Sequence, residues 1–497
     1  MTKEELLAKY KEWELKTSAY KMALAIIGID KQTVAPEGGA PYRDKRTAVL
    51  AGELFSLQMD PENIEVLREL MKMDLDGDTA KAVKMNYDEI MKTVAVPKDE
   101  FVAYQNLTNE AYGAWLDAKN RSDYAAFEPY LEKLIEGTRK MYEYRDSDLS
   151  LYDRMLDDYE PGMTQEKYDV FFDRLKERIV PLIRRVTEAQ KIDTSFLHRN
   201  YPVEEQKKFM DELLQYLRFD PYWGYLNETE HPFTSGTCEN DCRTTTKYLP
   251  DNVASAILST VHEVGHATYG HQTAPEYDGT ILAEAISMGM HESQSRLCEN
   301  YLGRSKPFWE ANYPRLQKHF PEQLGDVSLD AFVAAINAAE PSLIRTEADE
   351  LTYPLHILVR YEIEKGLFNG TISTKGLDQT WNEMYAKYLG VTVPDARSGI
   401  LQDVHWAGGS FGYFPTYALG SAFSAQFMHA MRKDLDVDEC LRNGQYDVLM
   451  GWLKEHIHKY GARYNADEVM RLATGEPFNP DYYLDYLEDK YTKLYNL

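Results

Sequence analysis

His262, Glu263 and His266 form a His-Glu-x-x-His motif, which reads HEVGH in the sequence. Residues four positions apart lie on the same face of an α-helix, so the two imidazoles can bind one cation together. Glu263 follows the first histidine directly, where its carboxylate can take a proton from a water held by that cation. The motif therefore predicts a metal site with a general base, which is the chemistry of a metallopeptidase.

A catalytic metal site of this kind needs a third protein ligand and an open position for water. Four glutamates follow the motif closely enough to supply that ligand, and they are Glu276, Glu284, Glu292 and Glu299. Glu276 is expected in the loop after the histidine helix, whereas the other three are expected on the next helix. Glu292 and Glu299 differ by seven residues and share a face of that helix. The residues alone leave the choice between these two open.

Helical periodicity dominates the chain and predicts a mainly α fold. Thr2 with Glu5 is a capping box that starts the first helix, and Asp60-Pro61 is typical of the start of another. The predicted helices span about 43–58, 61–73, 98–120, 123–145, 164–190, 202–218, 251–272, 281–302, 329–340, 342–368, 376–389, 416–433 and 443–458. The segment over about 231–249 is rich in Thr and turn residues, which predicts a small antiparallel β-hairpin or sheet near the histidine motif.

The chain shows no internal repeat, low-complexity tract or long linker. We therefore expect a single domain over residues 1–497, with a substrate groove between two lobes. The helical N-terminal part, about 1–218, is expected to form one groove wall. The part over about 219–497 is expected to carry the chemistry.

The sequence carries 55 Lys and Arg against 81 Asp and Glu, a net charge of −26. This balance argues against nucleic acid as a partner and against binding to anionic membranes. No apolar run reaches the roughly 18 residues of a membrane span, and the N-terminus lacks the apolar region of a signal peptide. The four cysteines, including the C-x3-C pair Cys238 and Cys242, predict reduced thiols rather than a disulfide scaffold. These features predict a cytoplasmic protein.

Six motifs follow one another between residues 231 and 406. They read HPF from His231, DCRTT from Asp241, HEVGH, HESQSRLCEN from His291, IRTEAD from Ile344 and GILQDVHW from Gly399. This ordered set resembles the carboxypeptidase Taq family of metallocarboxypeptidases, and the length and helical N-terminal half extend the resemblance over essentially the whole chain. Cys298 departs from the pattern, because an aromatic residue is expected there, and the departure concerns packing near the metal helix.

The resemblance implies a compact helical, zincin-like fold with a deep groove, similar to thimet oligopeptidase and angiotensin-converting enzyme. It implies Glu292 as the third ligand beside His262 and His266, with one divalent metal per chain, zinc or alternatively cobalt. It implies Glu263 as the general base. The implied activity is the release of single C-terminal residues from peptides, with broad specificity, by a homodimer.

The resemblance also implies roles for residues in the segment HWAGGSFGYFPTY. A tetrahedral intermediate carries an oxyanion that needs hydrogen-bond donors besides the metal. His405 and Tyr417, twelve residues apart, are the implied catalytic pair, and Tyr413 is the alternative tyrosine at the substrate.

Recognition of a free terminal carboxylate favours a planar guanidinium, which can donate two parallel hydrogen bonds. Arg345 and Arg243 are the candidates, and the resemblance favours Arg345 for the carboxylate. Arg243 is expected to help close the groove end beside the β-hairpin, which would limit how far the substrate extends. Either arginine could instead form a structural ion pair, with Asp349 or Asp241 respectively.

Three further histidines lie near the motif in sequence. His231 is expected to shape the groove and bind substrate, or else to be a packed histidine in a loop. His271 and His291 are expected to be structural or to support the metal ligands.

Two rival functions remain open from the sequence. One is an oligopeptidase or dipeptidyl-carboxypeptidase on the same fold, and the other is a catalytically silent peptide-binding scaffold. The intact Glu263 argues against the scaffold, since a protein that only binds peptides has no use for a general base.

Overall fold

The computed structural model describes all 497 residues, and nine helices precede its sheet. The first helix starts with the predicted capping box of Thr2 and Glu5, and Asp60 caps the third. The helices predicted before residue 219 are confirmed, while α4 and α7 were not predicted. The nine are α1 (Lys3–Thr33), α2 (Ala40–Gln58), α3 (Pro61–Leu70), α4 (Gly77–Val94), α5 (Lys98–Arg121), α6 (Tyr124–Glu143), α7 (Leu151–Tyr159), α8 (Gln165–Glu188) and α9 (Val203–Tyr216).

The sheet has three strands, β1 (Gly224–Glu228), β2 (Thr234–Cys238) and β3 (Asp241–Thr246), in the order β1-β3-β2. β2 and β3 form the predicted antiparallel hairpin. β1 precedes the predicted segment and pairs with the other edge of β3 in parallel, so the sheet as a whole is mixed rather than antiparallel. The chain crosses from β1 to the far edge before the hairpin, so β1 and β3 run in the same direction. β2 is therefore an edge strand.

Twelve helices follow the sheet. They are α10 (Val253–His271), α11 (Met288–Arg296), α12 (Lys306–His319), α13 (Pro321–Leu324), α14 (Leu329–Ile336), α15 (Tyr353–Asn369), α16 (Leu377–Tyr388), α17 (Pro415–Asp434), α18 (Val437–Arg442), α19 (Tyr446–His456), α20 (Ala466–Thr474) and α21 (Asp481–Tyr495). A π-helical turn, Leu297–Gly303, continues α11. No helix of the structure combines the length and apolar character that a bilayer span requires.

Two predicted helices start later than expected. The helix expected from 281 begins only at Met288, where Ser287 caps it by accepting from the Met290 amide. The helix expected from 342 begins at Tyr353, because the Asp349 carboxylate accepts the amides of Leu351 and Thr352 and holds the preceding segment as a loop.

The buried apolar residues form one principal core and a smaller one. The principal core draws on residues from Ala111 to Tyr491. A separate core of nine buried residues lies between Leu6 and Ile90 and joins helices of the first four. The expectation of one domain over 1–497, with a first part ending near 218, stays a prediction.

Helices α10, α11 and α17 pack against one another at unusually close range. A Cβ on Gly265 would lie 2.8 Å from the Gln294 carbonyl oxygen, and one on Gly420 would lie 2.7 Å from the Glu292 Cβ. Only glycine allows approaches of this kind. The two glycines therefore set how closely the histidine helix and α17 approach the helix that carries Glu292.

Candidate active site

Helices α10 and α11 bring His262, His266 and Glu292 together. The possible ligand atoms of the three side chains all lie within 4.8 Å of one another. The Nε2 atoms of His262 and His266 lie 3.7 and 3.4 Å from the Glu292 Oε2. Two imidazoles and one carboxylate, with side-chain exposures of only 16%, 16% and 10%, fit a divalent metal site with an open fourth position.

Each candidate ligand histidine has a partner at its other ring nitrogen. The Nδ1 of His262 lies 2.9 Å from Glu299 Oε2, and the Nδ1 of His266 lies 2.5 Å from the Nδ1 of His291. Burial, with His266 next in effect, lowers the pKa of His291 to about 3, so the His291 imidazole is neutral at pH 7. Such partners fix the orientation of a ligand imidazole. Glu299, one of the two glutamates left open by the sequence, thus orients His262, a candidate metal ligand.

Arg296 joins the two glutamates and was not singled out from the sequence. Its Nε donates to Glu292 Oε1 at 2.7 Å and its Nη1 to Glu299 Oε2 at 3.2 Å. Burial alone would raise the pKa of Glu292, but Arg296 and His262 hold that pKa well below its usual range. The carboxylate is therefore ionised, which suits a candidate metal ligand. Arg296 lies four residues after Glu292, and this spacing in the sequence could have predicted their ion pair on one helix face.

The two remaining glutamate candidates lie elsewhere. Glu276 lies in the turn Pro275–Tyr277 after α10, as expected. The expectation that Glu284 shares a helix with Glu292 is wrong, because Glu284 precedes α11 in extended backbone. Its carboxylate instead forms an ion pair of 2.5 Å with Lys21.

Glu263 is buried and bonded to the edge strand of the sheet. The Thr234 hydroxyl lies 2.5 Å from Glu263 Oε2 and 3.0 Å from the Glu263 carbonyl oxygen. Thr234 begins β2, so the strand fixes the rotamer of the carboxylate that stands beside the ligand histidines. No local pattern signals this contact, since it joins residues 29 positions apart.

His405, Tyr413 and Tyr417 form one aromatic group. The Tyr417 hydroxyl lies 3.5 Å from His405 Nε2, and the ring of Tyr413 lies edge-on to Tyr417 at 5.2 Å between centroids. Burial lowers the pKa of His405 to about 4, so its imidazole is neutral at pH 7. All three residues named from the sequence are brought together here.

A buried carboxyl holds the loop that carries this group. Glu364 accepts hydrogen bonds from Trp406 Nε1 at 2.7 Å, the Gly412 amide at 2.8 Å and the Tyr152 hydroxyl at 2.9 Å. It is fully buried, and burial raises its pKa to about 7. Trp406 adjoins His405 and Gly412 adjoins Tyr413, so one carboxyl positions both ends of the loop.

Arg345 is buried and ion-paired, with a partner other than the one expected. Asp403 Oδ1 accepts from its Nε and Nη2 at 3.1 and 2.9 Å, while Asp349 bonds to backbone amides. Arg360 also bonds to Asp403, through both Nε and Nη2. The Arg345 Nη1 lies 3.3 Å from the Tyr353 hydroxyl. A guanidinium has five N–H donors, so two on Arg345 stay free for a ligand.

Among the other sequence candidates, Arg243 and His271 make contacts that favour local structural roles. Arg243 on β3 forms a two-pronged ion pair with Asp241 at 2.7 and 2.8 Å, which is the alternative that the sequence left open. His231 is exposed in the loop before β2. His271 stacks on Trp223 with 4.0 Å between ring centroids and bonds to a backbone carbonyl. The substrate roles of Arg243 and His231 stay predictions.

A cavity of about 410 Å³ opens beside His266 of the candidate metal site. It lies between α1, β2 and the C-terminal half of α10, and its lining includes His266, His291 and Thr234. All four cysteines are free thiols, and Cys238 and Cys242 lie in the same wall. The cavity provides space for a ligand directly next to the candidate metal site.

Known proteins match the chain over nearly its whole length. A family model described as Carboxypeptidase Taq (M32) metallopeptidase matches residues 9–491. Carboxypeptidase 1 of Bacillus subtilis is 43% identical over 97% of both chains. Thermostable carboxypeptidase 1 of Thermus thermophilus is 38% identical over 100% of both. The crystal structure of an M32 carboxypeptidase from Deinococcus radiodurans R1 is 31% identical, superposes with a TM-score of 0.96 and covers 99% of this chain and 100% of that one. The chain belongs to the carboxypeptidase Taq (M32) family of metallopeptidases and is a metallocarboxypeptidase.

Proposed function

We propose that this metallocarboxypeptidase releases single residues from the free C-termini of peptides, with broad specificity. The convergence of His262, His266 and Glu292, with Glu263 beside them on α10, is the observation that carries the proposal. When bound by these three side chains, a divalent ion supplies Lewis acidity that polarises the scissile carbonyl and acidifies water.

Glu263 acts as the general base. It accepts the proton of the attacking water and returns it to the leaving amine. The hydrogen bond from Thr234 supports this role, because it holds one carboxylate oxygen and leaves the other for water. Burial of Glu263 keeps bulk water from competing for the proton.

Tyr417 and His405 stabilise the oxyanion of the tetrahedral intermediate. A neutral imidazole and a phenol each offer a donor without adding a charge that would repel the metal. The low pKa of His405 supports the neutral form, and the edge-on ring of Tyr413 limits the positions open to the Tyr417 hydroxyl.

Arg345 binds the terminal carboxylate of the substrate. Asp403 holds its Nε and one Nη donor, which orients the guanidinium and leaves two N–H groups for the ligand. Tyr353 connects this arginine to the metal ligands, because its hydroxyl contacts Arg345 and its ring lies 4.6 Å from the Arg296 guanidinium. Arg243 and His231 would limit the groove beyond the bound peptide.

The metal, the assembly and the location complete the proposal. Two imidazoles and one carboxylate suit zinc, and cobalt accepts the same ligands. The free thiols support a reducing, cytoplasmic setting. A homodimer rests on the family resemblance.

A pair of matched peptides tests single-residue release. One peptide carries a free C-terminal carboxylate and the other a C-terminal amide, and mass spectrometry follows both with time in zinc and in cobalt. We expect a ladder that loses one residue per step from the acid alone. Equal cleavage of both peptides, or loss of two residues per step, would favour the oligopeptidase or dipeptidyl-carboxypeptidase alternative.

The Glu263→Gln variant tests the general base. We expect kcat to fall by a factor of about 10² to 10⁴, the typical contribution of general acid–base catalysis, while bound metal stays stoichiometric. Glu276→Gln, an exposed change of the same type after the same helix, is the control. Retained hydrolysis in the Glu263 variant would refute the role.

A further inference from the structure

The candidate metal site has two different sides. On one side, Glu292 contacts Arg296, whose guanidinium lies on Tyr353, and Tyr353 contacts Arg345. On the other side, His266 faces the cavity between α1 and β2, whose lining includes neither Arg345 nor Tyr353. For a peptide whose C-terminal carboxylate binds Arg345, the cavity on the His266 side is the space that remains for the preceding residues.

The cavity wall carries more negative than positive charge. Its lining holds the carboxylates of Glu14, Glu239, Asp278 and Glu284 and the ammonium group of Lys21. Lys21 pairs with Glu284 at 2.5 Å, so three carboxylates keep no cationic partner within the chain. A concave wall with a single sign of charge concentrates ligands of the opposite sign.

Glu14 is the most constrained of the three carboxylates. The Tyr10 hydroxyl donates to its Oε1 at 2.6 Å and the Asn86 side-chain amide at 3.3 Å, and both donors are neutral. Burial raises the pKa of Glu14, because the partly enclosed carboxylate loses hydration. An oriented, partly desolvated carboxylate without a counter-ion is stabilised by a bound cation.

On the basis of the proposed function, we propose that this cavity binds the substrate residues on the N-terminal side of the scissile bond. Within it, Glu14 selects a lysine or arginine at one of these upstream positions. The aliphatic stem of such a side chain packs on the apolar part of the wall, including Trp13 and Met22, while its charged group reaches the carboxylate.

Peptide pairs with one C-terminal residue and a single upstream difference test this inference. Lysine is compared with uncharged norleucine at each of the three positions before the scissile bond, and kcat/KM is measured for both. We expect lysine to be preferred about tenfold at one position, the value of a charge-assisted contact of about 1.4 kcal/mol. The preference should shrink as ionic strength rises.

Two variants separate Glu14 from the general negative charge. Glu14→Gln should bring the lysine-to-norleucine ratio close to one. Glu12→Gln, on the same helix but paired with Lys16 outside the cavity, should keep the wild-type ratio. Because the ratio is taken within one preparation, a loss of folded protein cancels.

The outcomes are distinct. A ratio near one at every position in the wild type, or a ratio that survives Glu14→Gln, overturns the inference while single-residue release stands. If neither peptide loses its C-terminal residue, the proposed function itself fails.

Discussion

The Asp403→Asn substitution tests how the arginine pair beside the active site is held. Asp403 accepts two N–H groups from Arg345 and two from Arg360, and all three side chains are buried, with exposures of 11%, 8% and 0%. Asparagine keeps the shape but removes the charge and turns an amide N–H₂ toward one guanidinium. Two buried guanidinium groups then lack a counter-ion.

The expected loss of unfolding free energy is about 3–5 kcal/mol, the usual cost of breaking a buried ion pair from one side. Urea unfolding at pH 7, followed by tryptophan fluorescence, measures it as a lower midpoint at unchanged slope. Arg345 also loses its orientation, so the KM for free-acid peptides should rise.

The pH dependence gives a second readout for the same variant. Burial opposes ionisation of Asp403, but Arg360 and Arg345 hold its pKa well below the usual range. Its contribution to stability is therefore present above the unfolded-state pKa and is lost as the pH falls through the lowered folded pKa. The difference in free energy of unfolding between wild type and Asp403→Asn should be constant from pH 7 to about 5 and shrink only in stronger acid.

Asp117→Asn is the matched control, because Asp117 pairs with Arg121 on the surface at exposures of 63% and 55%. Its effect should stay below about 1 kcal/mol. A cost for Asp403→Asn as small as that of the control would refute the reasoning, since the two arginines would then need no buried anion.

Three further predictions concern the supports of the site. Glu299→Gln should weaken zinc binding about 10- to 100-fold in chelator competition, because Glu299 orients His262. Gly420→Ala should cost about 1–3 kcal/mol in urea unfolding and weaken zinc binding, because its methyl group would overlap Glu292. Glu364→Gln should flatten the pH dependence of unfolding. Burial raises the folded-state pKa of Glu364 to about 7, whereas the pKa of an unfolded glutamate is about 4.5. The protonated side chain therefore adds up to about 3 kcal/mol to the free energy of unfolding below about pH 4.5, and this contribution is lost as the pH rises through about 7.

Each of these predictions has a contrary result. Unchanged zinc affinity for Glu299→Gln would mean that His262 is oriented by packing alone. For the glycine, Gly451→Ala is the control, because nothing lies within 4 Å of its added Cβ and alanine should stabilise α19. If Gly420→Ala and Gly451→Ala changed the free energy of unfolding equally, the close approach of α17 to Glu292 would not explain the cost. If the free energy of unfolding of Glu364→Gln changed with pH between 5 and 7 as steeply as that of the wild type, a group other than Glu364 would take up the proton.

Local patterns in the sequence determined much of the helical framework. Capping residues such as Thr2 and Asp60 and the periodicity of apolar residues predict helices because these effects act within a few residues. The same reasoning placed His262 and His266 on one helical face, with Glu263 directly after the first of them. The late start of α11 was missed, because Ser287 caps it within a segment whose apolar residues continue upstream.

Contacts between distant segments were decided only by the tertiary structure. Glu292 and Glu299 share a helix face, and it is the close packing of α10 and α11 at Gly265 that brings Glu292 nearest to both Nε2 atoms. The parallel pairing of β1 depends on the path of the chain around the sheet, which no local pattern encodes. Asp403, rather than Asp349, meets Arg345 for the same reason.

The sequence by itself determined which residues can bind a metal, take a proton and hold a carboxylate, because those abilities belong to the side chains. The fold decided which nitrogen of each histidine faces the candidate metal site and which carboxylate bonds to the other nitrogen of His262. It also decided which side of the site opens into a negatively charged cavity. These depend on the distances and burial that packing imposes, and packing sums interactions over the whole chain.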